Sequence, residues 1–296
     1  MPPVEHFAAP PYWEWWILGY FFFGGISGGS YAIGTLLRLV GTPADQRAAN
    51  IAFITSFLAL LPCPIFLIAD LGQPLRFINM LFDASNGGLA FKPWSPMSLG
   101  SWALLGFGLF SFVSFVGAVA DNGWHPADSI ARILRGTVGA AWNIIGTALG
   151  FFVCGYTGVL LAVSNQPVWS DGWPLGGVFL ASSLTGAAAV LLLLARSRRD
   201  VEAGTAVRLE RADRNFAVLE AVLIAIFLVT VGLAGTLGKM AGVWLLLWLV
   251  VLLGLAAPFV FSRLDSARRW APVTAPILVL LSVLALRALV IFSAQT

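Results

Sequence analysis

Four ionisable residues lie in or at the ends of long apolar runs, and they are the first candidates for chemistry: Glu14, Asp70, Glu220 and Arg287. A charge inside a membrane is costly and usually marks a functional position. Arg287 is the strongest candidate because its guanidinium stays charged and needs an acidic partner, polar partners or a wet cavity. We expect Asp70 to be that partner, since both are expected towards the outer face. The alternatives are an ion pair that only fixes helix packing and, for Asp70, a simple interfacial position.

Two tyrosines and a glycine extend this set of candidates. Tyr156, in Gly155-Tyr-Thr-Gly, carries a hydroxyl that needs a partner, which could be a carbonyl of a bound ligand or a backbone carbonyl. Tyr20 lies deeper in the first apolar run than the tryptophans before it. Gly25, one of four glycines in that run, indicates close helix packing or room for a flat ligand. Glu220 is placed towards the inner side and is a candidate for a proton path, with helix capping or snorkelling as the alternative.

The residues that bind metals are scarce. His6 and His125 are both predicted outside the spans, so histidines within the helices cannot hold a haem. Cys63 and Cys154 lie in apolar runs without a C-x-x-C motif, and free buried thiols are the simplest interpretation. We therefore expect neither haem, an Fe–S cluster nor another metal in this chain.

Apolar runs must position these candidates. Hydrophobic residues make up 59% of the chain, charged residues 10%, and the mean hydropathy is +0.88. Soluble domains carry about 25% charged residues, and a membrane span needs about 20 apolar ones. We predict an all-α integral membrane protein, a single domain over residues 1–296, with about eight transmembrane helices in two packed bundles. The spans are predicted near 14–38, 48–69, 98–120, 138–163, 174–195, 215–235, 240–261 and 272–294.

Two features qualify this pattern. Pro62 and Pro64 should break the second span shortly before Asp70, because proline cannot donate to the helical hydrogen-bond ladder. The polar segment 196–214 is predicted to be a surface loop or a short amphipathic helix.

Basic residues predict the orientation. Thirteen occupy the odd-numbered connections and three, Arg76, Lys92 and Lys239, the even-numbered ones. Cytoplasmic loops are enriched in lysine and arginine, so both termini are predicted on the outer face, in a bacterial cytoplasmic membrane. The basic residues on the inner side are Arg38, Arg47, Arg132, Arg135, Arg196, Arg198, Arg199, Arg208, Arg211, Arg214, Arg263, Arg268 and Arg269. The net charge of +3 gives no indication of nucleic-acid binding.

Several motifs resemble the NrfD/PsrC family of polysulfide-reductase-type membrane subunits. The most specific are Asp70-Leu-Gly-Gln-Pro-Leu-Arg and Ser95-Pro-Met-Ser-Leu-Gly-Ser-Trp, on one outer connection. The runs Tyr20-Phe-Phe-Phe-Gly-Gly-Ile-Ser-Gly-Gly, Ser183-Leu-Thr-Gly-Ala and Leu286-Arg287-Ala-Leu-Val also fit. The resemblance extends in order over nearly the whole chain.

The resemblance implies a haem-free, eight-helix subunit that binds a quinone, either menaquinone or ubiquinone. It also implies a ferredoxin-like Fe–S partner, often accompanied by a molybdopterin catalytic subunit. Asp70, Arg76, Ser95 and Trp102 are carried over as elements of the pocket or partner face, and Arg287 as a polar group of the pocket or proton path. Some members have a histidine in the first span that is missing here, and Tyr20 or a water is the expected substitute.

The resulting hypothesis is electron transfer between a partner Fe–S cluster and a quinone in the outer half of the bundle. Asp70 and Tyr156 are the proposed proton donors, with Arg287 balancing charge and Glu220 on a proton path from the inner side. Whether the isolated chain is an enzyme stays open. The alternatives are a small-molecule or ion transporter and a purely structural membrane anchor.

Overall fold

The structure is a computed structural model that describes residues 9–83, 87–198, 201–263 and 271–295. His6, Arg199, Arg268 and Arg269 lie outside these ranges. The described chain folds into ten α-helices: α1 (Trp15–Val40), α2 (Gln46–Leu60), α3 (Pro62–Asp70), α4 (Pro96–Asp121), α5 (Asp128–Leu134), α6 (Thr137–Ala162), α7 (Leu175–Ser197), α8 (Ala203–Leu233), α9 (Leu245–Phe261) and α10 (Ala271–Ser293).

Seven helical segments in the described ranges are long and apolar enough to cross a membrane. They are Pro43–Asp70, Pro96–Asp121, Thr137–Ala162, Leu175–Ser197, Ala203–Leu233, Gly242–Phe261 and Pro272–Ser293. This confirms a multi-pass, all-α membrane protein. The first helix, α1, is 26 residues long, but its glycines and serines dilute its hydropathy. The count of eight spans and the side of the termini stay predictions.

The break in the second span is confirmed. Helix α2 ends at Leu60 and α3 begins at Pro62, with Leu61 between them. The two cysteines are confirmed as free and buried.

Helix α1 lies at the centre of two groups of helices. It packs on α2, α3 and α6 on one side, and on α7 and α10 on the other. The first group is completed by α4, which packs on α2 and α6. The second group consists of α7, α8, α9 and α10. Side chains on opposite faces of α1 therefore belong to different halves of the molecule.

The prediction of a surface loop or a short amphipathic helix for segment 196–214 is confirmed only in part, because residues 203–214 are helical with Thr205, Leu209 and Asp213 buried but belong to a long helix. Helix α8 begins at Ala203 and runs for 31 residues without a break. Its first turns are held by the carboxylate of Asp45, which accepts hydrogen bonds from Thr205 (2.6 Å) and Arg208. Asp45 is fully buried, so these long-range bonds hold a charged helical segment against the bundle.

A small hairpin occupies the connection between α3 and α4. Strand β1 (Phe82–Asp83) pairs antiparallel with β2 (Gly88–Leu89), and Phe82 lies opposite Leu89. The hairpin is fastened to α4 by Trp102 Nε1 and Ser98 Oγ, which both donate to the Ala90 carbonyl, at 3.2 and 3.1 Å.

Candidate functional site

The guanidinium of Arg287 is completely buried in the second half of the bundle. Its nitrogens donate five hydrogen bonds, and an arginine side chain has five N–H donors. The acceptors are two hydroxyls, Ser182 Oγ at 2.8 Å and Ser183 Oγ at 2.9 Å, and the carbonyls of Phe21, Phe179 and Val283 at 3.2 to 3.3 Å. Helices α1, α7 and α10 thus provide a preformed polar shell around the charge.

The predicted pairing of Asp70 with Arg287 is wrong. Among the described residues, all five hydrogen bonds of Arg287 go to hydroxyls and carbonyls rather than carboxylates. Asp70 is the last residue of α3, partly exposed, and the charge that acts on it is that of Glu14. Similar depth along the membrane normal did not bring the two residues together, because α1 lies between α3 and α10.

Glu220 is the carboxylate that interacts electrostatically with Arg287. Its side chain is 1% exposed, and within the described chain neither carboxylate oxygen has a hydrogen-bond partner of acceptable geometry. The hydroxyl of Thr185 lies beside it but donates to the Ala181 carbonyl at 3.0 Å. Glu220 and Arg287 therefore form a buried charged neighbourhood without a direct ion pair.

Gly25 makes room for this neighbourhood. A Cβ atom placed on Gly25 would lie 2.7 Å from Arg287 Nη2 and 2.6 Å from Ser183 Oγ. Both distances are far below van der Waals contact, so only glycine allows the guanidinium to approach α1 this closely. The structure thus accounts for Gly25 by packing.

Tyr156 lines an apolar cleft in the other half of the molecule. The cleft has a volume of about 360 Å³ and lies between the start of α4 and the C-terminal half of α6. Its walls include Trp94, Pro96, Leu99, Phe151, Phe152 and Val159. Phe151 is 37% exposed and Val159 47% exposed, so the cleft is open to the surface of the bundle. The Tyr156 hydroxyl donates to the Pro96 carbonyl, and its ring stacks on Phe152 at 5.5 Å.

Pro96 and Leu99 of the Ser95–Trp102 motif line this cleft, whereas Ser95 and Trp102 do not. Ser95 caps α4, with Oγ accepting from the backbone N–H of Ser98 at 3.4 Å. A Cβ atom on Gly100 would lie 2.5 Å from the Tyr156 ring, so the motif's glycine lets that ring pack against α4. Arg76 is exposed on the same outer connection.

Tyr20 lies between the two groups of predicted residues. It is 4% exposed, its ring packs on Phe21 with the centroids 5.6 Å apart, and its carbonyl lies 4.0 Å from Cys63 Sγ. Cys154 Sγ in turn donates to the Gly25 carbonyl at 3.6 Å and lies beside Ser183 and Arg287. The predicted residues are thus split into a Tyr156 cleft and an Arg287 cluster.

Sequence reasoning missed Asp213, which is 5% exposed and has one carboxylate oxygen, Oδ1, without a partner in the described chain. It was missed because it lies in the polar segment before the apolar part of α8, where a charged residue is expected to be exposed. A signal was present, because Asp213 and Glu220 are seven residues apart and therefore share one face of a helix. Ser183 was noted only as part of a motif and Ser182 was not noted, so neither serine was predicted to be a partner of the arginine.

Comparisons with known proteins agree with this architecture. Residues 5–296 match the family described as Polysulphide reductase, NrfD. A stretch of 69 residues is 33% identical to one of the subunits of the selenate reductase from Mesobacillus selenatarsenatis, and covers 23% of this chain and 16% of that protein. The family match spans nearly every residue and both halves of the bundle, and the chain belongs to the polysulphide reductase NrfD family.

Proposed function

We propose that this chain is the haem-free, quinone-handling membrane subunit of a multi-subunit respiratory oxidoreductase. It would pass electrons between a partner Fe–S protein and the quinone pool. The observation that carries this proposal is the aromatic cleft beside Tyr156, which opens on the surface of the apolar helices next to the exposed connection between α3 and α4. Membership of the family and the similarity to a selenate reductase subunit support the proposal that the complex is a respiratory oxidoreductase.

The cleft fits a quinone by size and by chemistry. Small-molecule sites usually measure about 300 to 1,000 Å³ and combine apolar walls with few polar groups. Here Trp94, Phe151 and Phe152 offer flat apolar walls, and the Tyr156 phenol offers one hydrogen-bond donor. The lipid-facing opening suits a molecule whose isoprenoid tail stays in the bilayer. Menaquinone and ubiquinone meet these requirements equally.

The bound quinone supplies a couple that takes up two electrons and two protons. Tyr156 would orient the ring and donate a hydrogen bond to one carbonyl when its hydroxyl turns from Pro96. Phe152 holds the tyrosine ring in place, and the apolar walls exclude water from the reacting oxygen. Tyr20 is a buried tyrosine of α1, and its hydroxyl would receive or return a proton.

The outer connection is the proposed docking face for the partner chains. Leu75 is 87% exposed and Trp94 79% exposed, and both lie on the same connection as Arg76 and Lys92. We propose that a ferredoxin-like Fe–S protein binds there and places a cluster near the cleft. A molybdopterin catalytic chain would complete the assembly. Asp70 and Arg76 would contribute to this face.

The orientation follows from the same proposal. Helix α1 would be an eighth span, since its 26 residues reach about 39 Å. Both termini and the outer connection would then face the periplasm, in a bacterial cytoplasmic membrane, and the basic residues near the start of α8 would face the cytoplasm.

Quinone content tests the proposal. Val159→Trp should fill the cleft, whereas Val138→Trp places the same side chain on an exposed position of α6 away from it. We expect the purified wild-type complex and Val138→Trp to contain quinone and to reduce menadione, and Val159→Trp to lose both. A wild-type complex with neither quinone nor turnover would favour a structural anchor or a transporter.

A further inference from the structure

Three arginines from different parts of the chain meet at the C-terminal end of α4. Arg135, which follows α5, donates from Nε to Asp121 Oδ1 at 3.0 Å, and Arg38 Nη2 of α1 lies 3.6 Å from Asp121 Oδ2. Arg47 of α2 donates from Nη1 to the side chain of the next residue, Asn122, at 2.9 Å. The last residues of α4 thus offer one carboxylate to three guanidinium groups, which leaves an excess of positive charge.

Two of these arginines keep donors for a further partner. The Arg38 side chain is 10% exposed, lies over the Phe53 ring at 5.1 Å and donates to Asn50. The Arg135 side chain is 65% exposed, and Arg47 is exposed as well. An arginine has five N–H donors, and within the described chain Arg135 uses two of them and Arg47 one. The remaining donors can bind an anion from outside the protein.

Helix α5 carries this charge along the surface and is fixed firmly to the bundle. It packs on α4 and α6, with Ala131 and Leu134 buried. A Cβ atom on Gly117 of α4 would lie 2.5 Å from Leu134 Cδ1, so the leucine rests directly against this glycine. The helix adds one acidic residue, Asp128, and one exposed basic residue, Arg132, so the positive excess is kept.

The outward side of the same connection is apolar. Ile133 is 58% exposed, Trp124 51% and Ile130 36%. The two isoleucines are three residues apart and therefore share one face of α5. The patch continues onto α6, where Val138 in the first turn and Ile145 further along the helix are exposed. An exposed tryptophan and a short helix with one apolar face and arginines beside it are typical of the boundary between a bilayer and water.

We propose that this surface is a binding site for an anionic phospholipid. The headgroup phosphate would contact Arg47, Arg132 and Arg135, and the acyl chains would pass Trp124 and Ile133 onto the side of α6. Guanidinium groups bind phosphate oxygens through paired, charge-assisted hydrogen bonds. Basic pockets at the ends of membrane helices commonly hold anionic lipid headgroups. The site lies at the ends of α4 and α6 opposite to the quinone cleft and does not depend on the proposed function.

The continuity with α6 favours a lipid over a protein partner or a free anion. Val138 and Ile145 lie on a helix long and apolar enough to span the membrane, where exposed side chains contact acyl chains. A phosphate ion from solution would use the arginines but leave Trp124 and Ile133 exposed to water. A lipid with a negative headgroup satisfies the charged and the apolar parts of the surface together.

Native mass spectrometry of the full chain, purified in detergent, tests this site. The protein is incubated with equal amounts of phosphatidylglycerol and phosphatidylcholine that carry the same acyl chains, with and without excess inorganic phosphate. The variants are the double variant Arg132→Gln/Arg135→Gln and the single variants Arg47→Gln and Trp124→Gln. The control is Arg263→Gln, which removes an exposed arginine after α9. Elution volume and thermal unfolding are measured for each.

We expect the wild type and Arg263→Gln to retain phosphatidylglycerol about tenfold more than phosphatidylcholine, also in the presence of phosphate. The double variant should lose this preference, and Arg47→Gln should weaken it. Trp124→Gln should lower the binding of both lipids, because it removes an apolar contact and no charge. Arg47 makes a single exposed hydrogen bond in the described chain, so its variant decides the matter if the double variant does not fold.

Three results would overturn the site. They are equal retention of the two lipids by the wild type, displacement of phosphatidylglycerol by inorganic phosphate, and an unchanged preference in the folded arginine variants.

Discussion

Arg287 Nη2 would lie 2.7 Å from a Cβ atom on Gly25, so the buried guanidinium of α10 rests directly against the backbone of α1. The same position would bring that Cβ to 2.6 Å from Ser183 Oγ, a partner of the guanidinium. The charge is thus stabilised by hydroxyls and carbonyls from three helices, and the missing side chain of Gly25 makes this arrangement possible.

Gly25→Ala should therefore destabilise the protein by about 1 to 3 kcal/mol, as expected for overpacking in a tight interior. It should also weaken the hydrogen bonds of Arg287. The measurement is thermal unfolding of the purified protein in detergent. Gly24→Ala is the matched control, because its new Cβ would meet only ordinary contacts at 3.7 Å and beyond. Equal losses of stability in both variants would show that position 25 requires glycine because of the general packing of α1, and not because of the guanidinium.

Arg287→Leu should destabilise the protein by about 3 kcal/mol, since it leaves two serine hydroxyls and three carbonyls around an apolar side chain. The loss should be about 1 kcal/mol smaller in a Glu220→Leu background, because the leucine at position 220 carries no negative charge for Arg287 to balance. A double-mutant cycle from thermal or denaturant unfolding measures this coupling. Strictly additive losses would contradict an interaction between the two residues.

Tyr156→Phe should lower the rate of quinone reduction about tenfold or more, because it removes the phenol that lines the cleft while preserving the shape of the cleft. Loss of the hydrogen bond to the Pro96 carbonyl should cost about 1 kcal/mol of stability. Tyr31→Phe is the control, since it removes a buried bond of 2.8 Å to Ser114 elsewhere in the bundle. Similar rates for the two variants would argue against a role for Tyr156 in the reaction.

Asp45→Asn should loosen the first turns of α8. Asp45 is fully buried and accepts hydrogen bonds from Thr42, Thr205 and Arg208, so neutralising it should cost about 1 to 3 kcal/mol. Hydrogen exchange over residues 203–214 should become faster. Asp128→Asn is the control, because Asp128 is exposed and pairs only with His125 among the described residues. Unchanged exchange in Asp45→Asn would mean that apolar packing alone holds this segment.

The long helices could be predicted from the sequence because each buries an apolar run of about the length of a bilayer. The sequence did not predict that α8 begins as early as Ala203, because the residues before position 215 are mostly charged and polar. The residues that hold it, Asp45 and Arg208, are 163 positions apart in the chain. The break at Leu61 was found because proline has a local effect on the backbone.

The candidate residues were recognised more reliably than their contacts. Burial of Arg287, Glu220 and Tyr20 follows from their place in apolar runs, whereas the separation of Asp70 from Arg287 depends on which face of α1 each helix packs against. The burial of Asp213 could be predicted only by knowing that the helix continues through the charged segment. The cleft itself is formed by α4 and α6 together, and neither helix shows it alone.

The most direct test is to locate the quinone by photolabelling. An azido-quinone would be bound to the purified complex, illuminated, and the labelled peptides identified by mass spectrometry, with excess menadione as competitor. We expect competable labelling on residues 93–99 and 151–163, the two segments that line the cleft. Competable labelling that is confined to other helices would contradict a quinone site beside Tyr156. The absence of any competable labelling in a complex that retains its partners would contradict it as well.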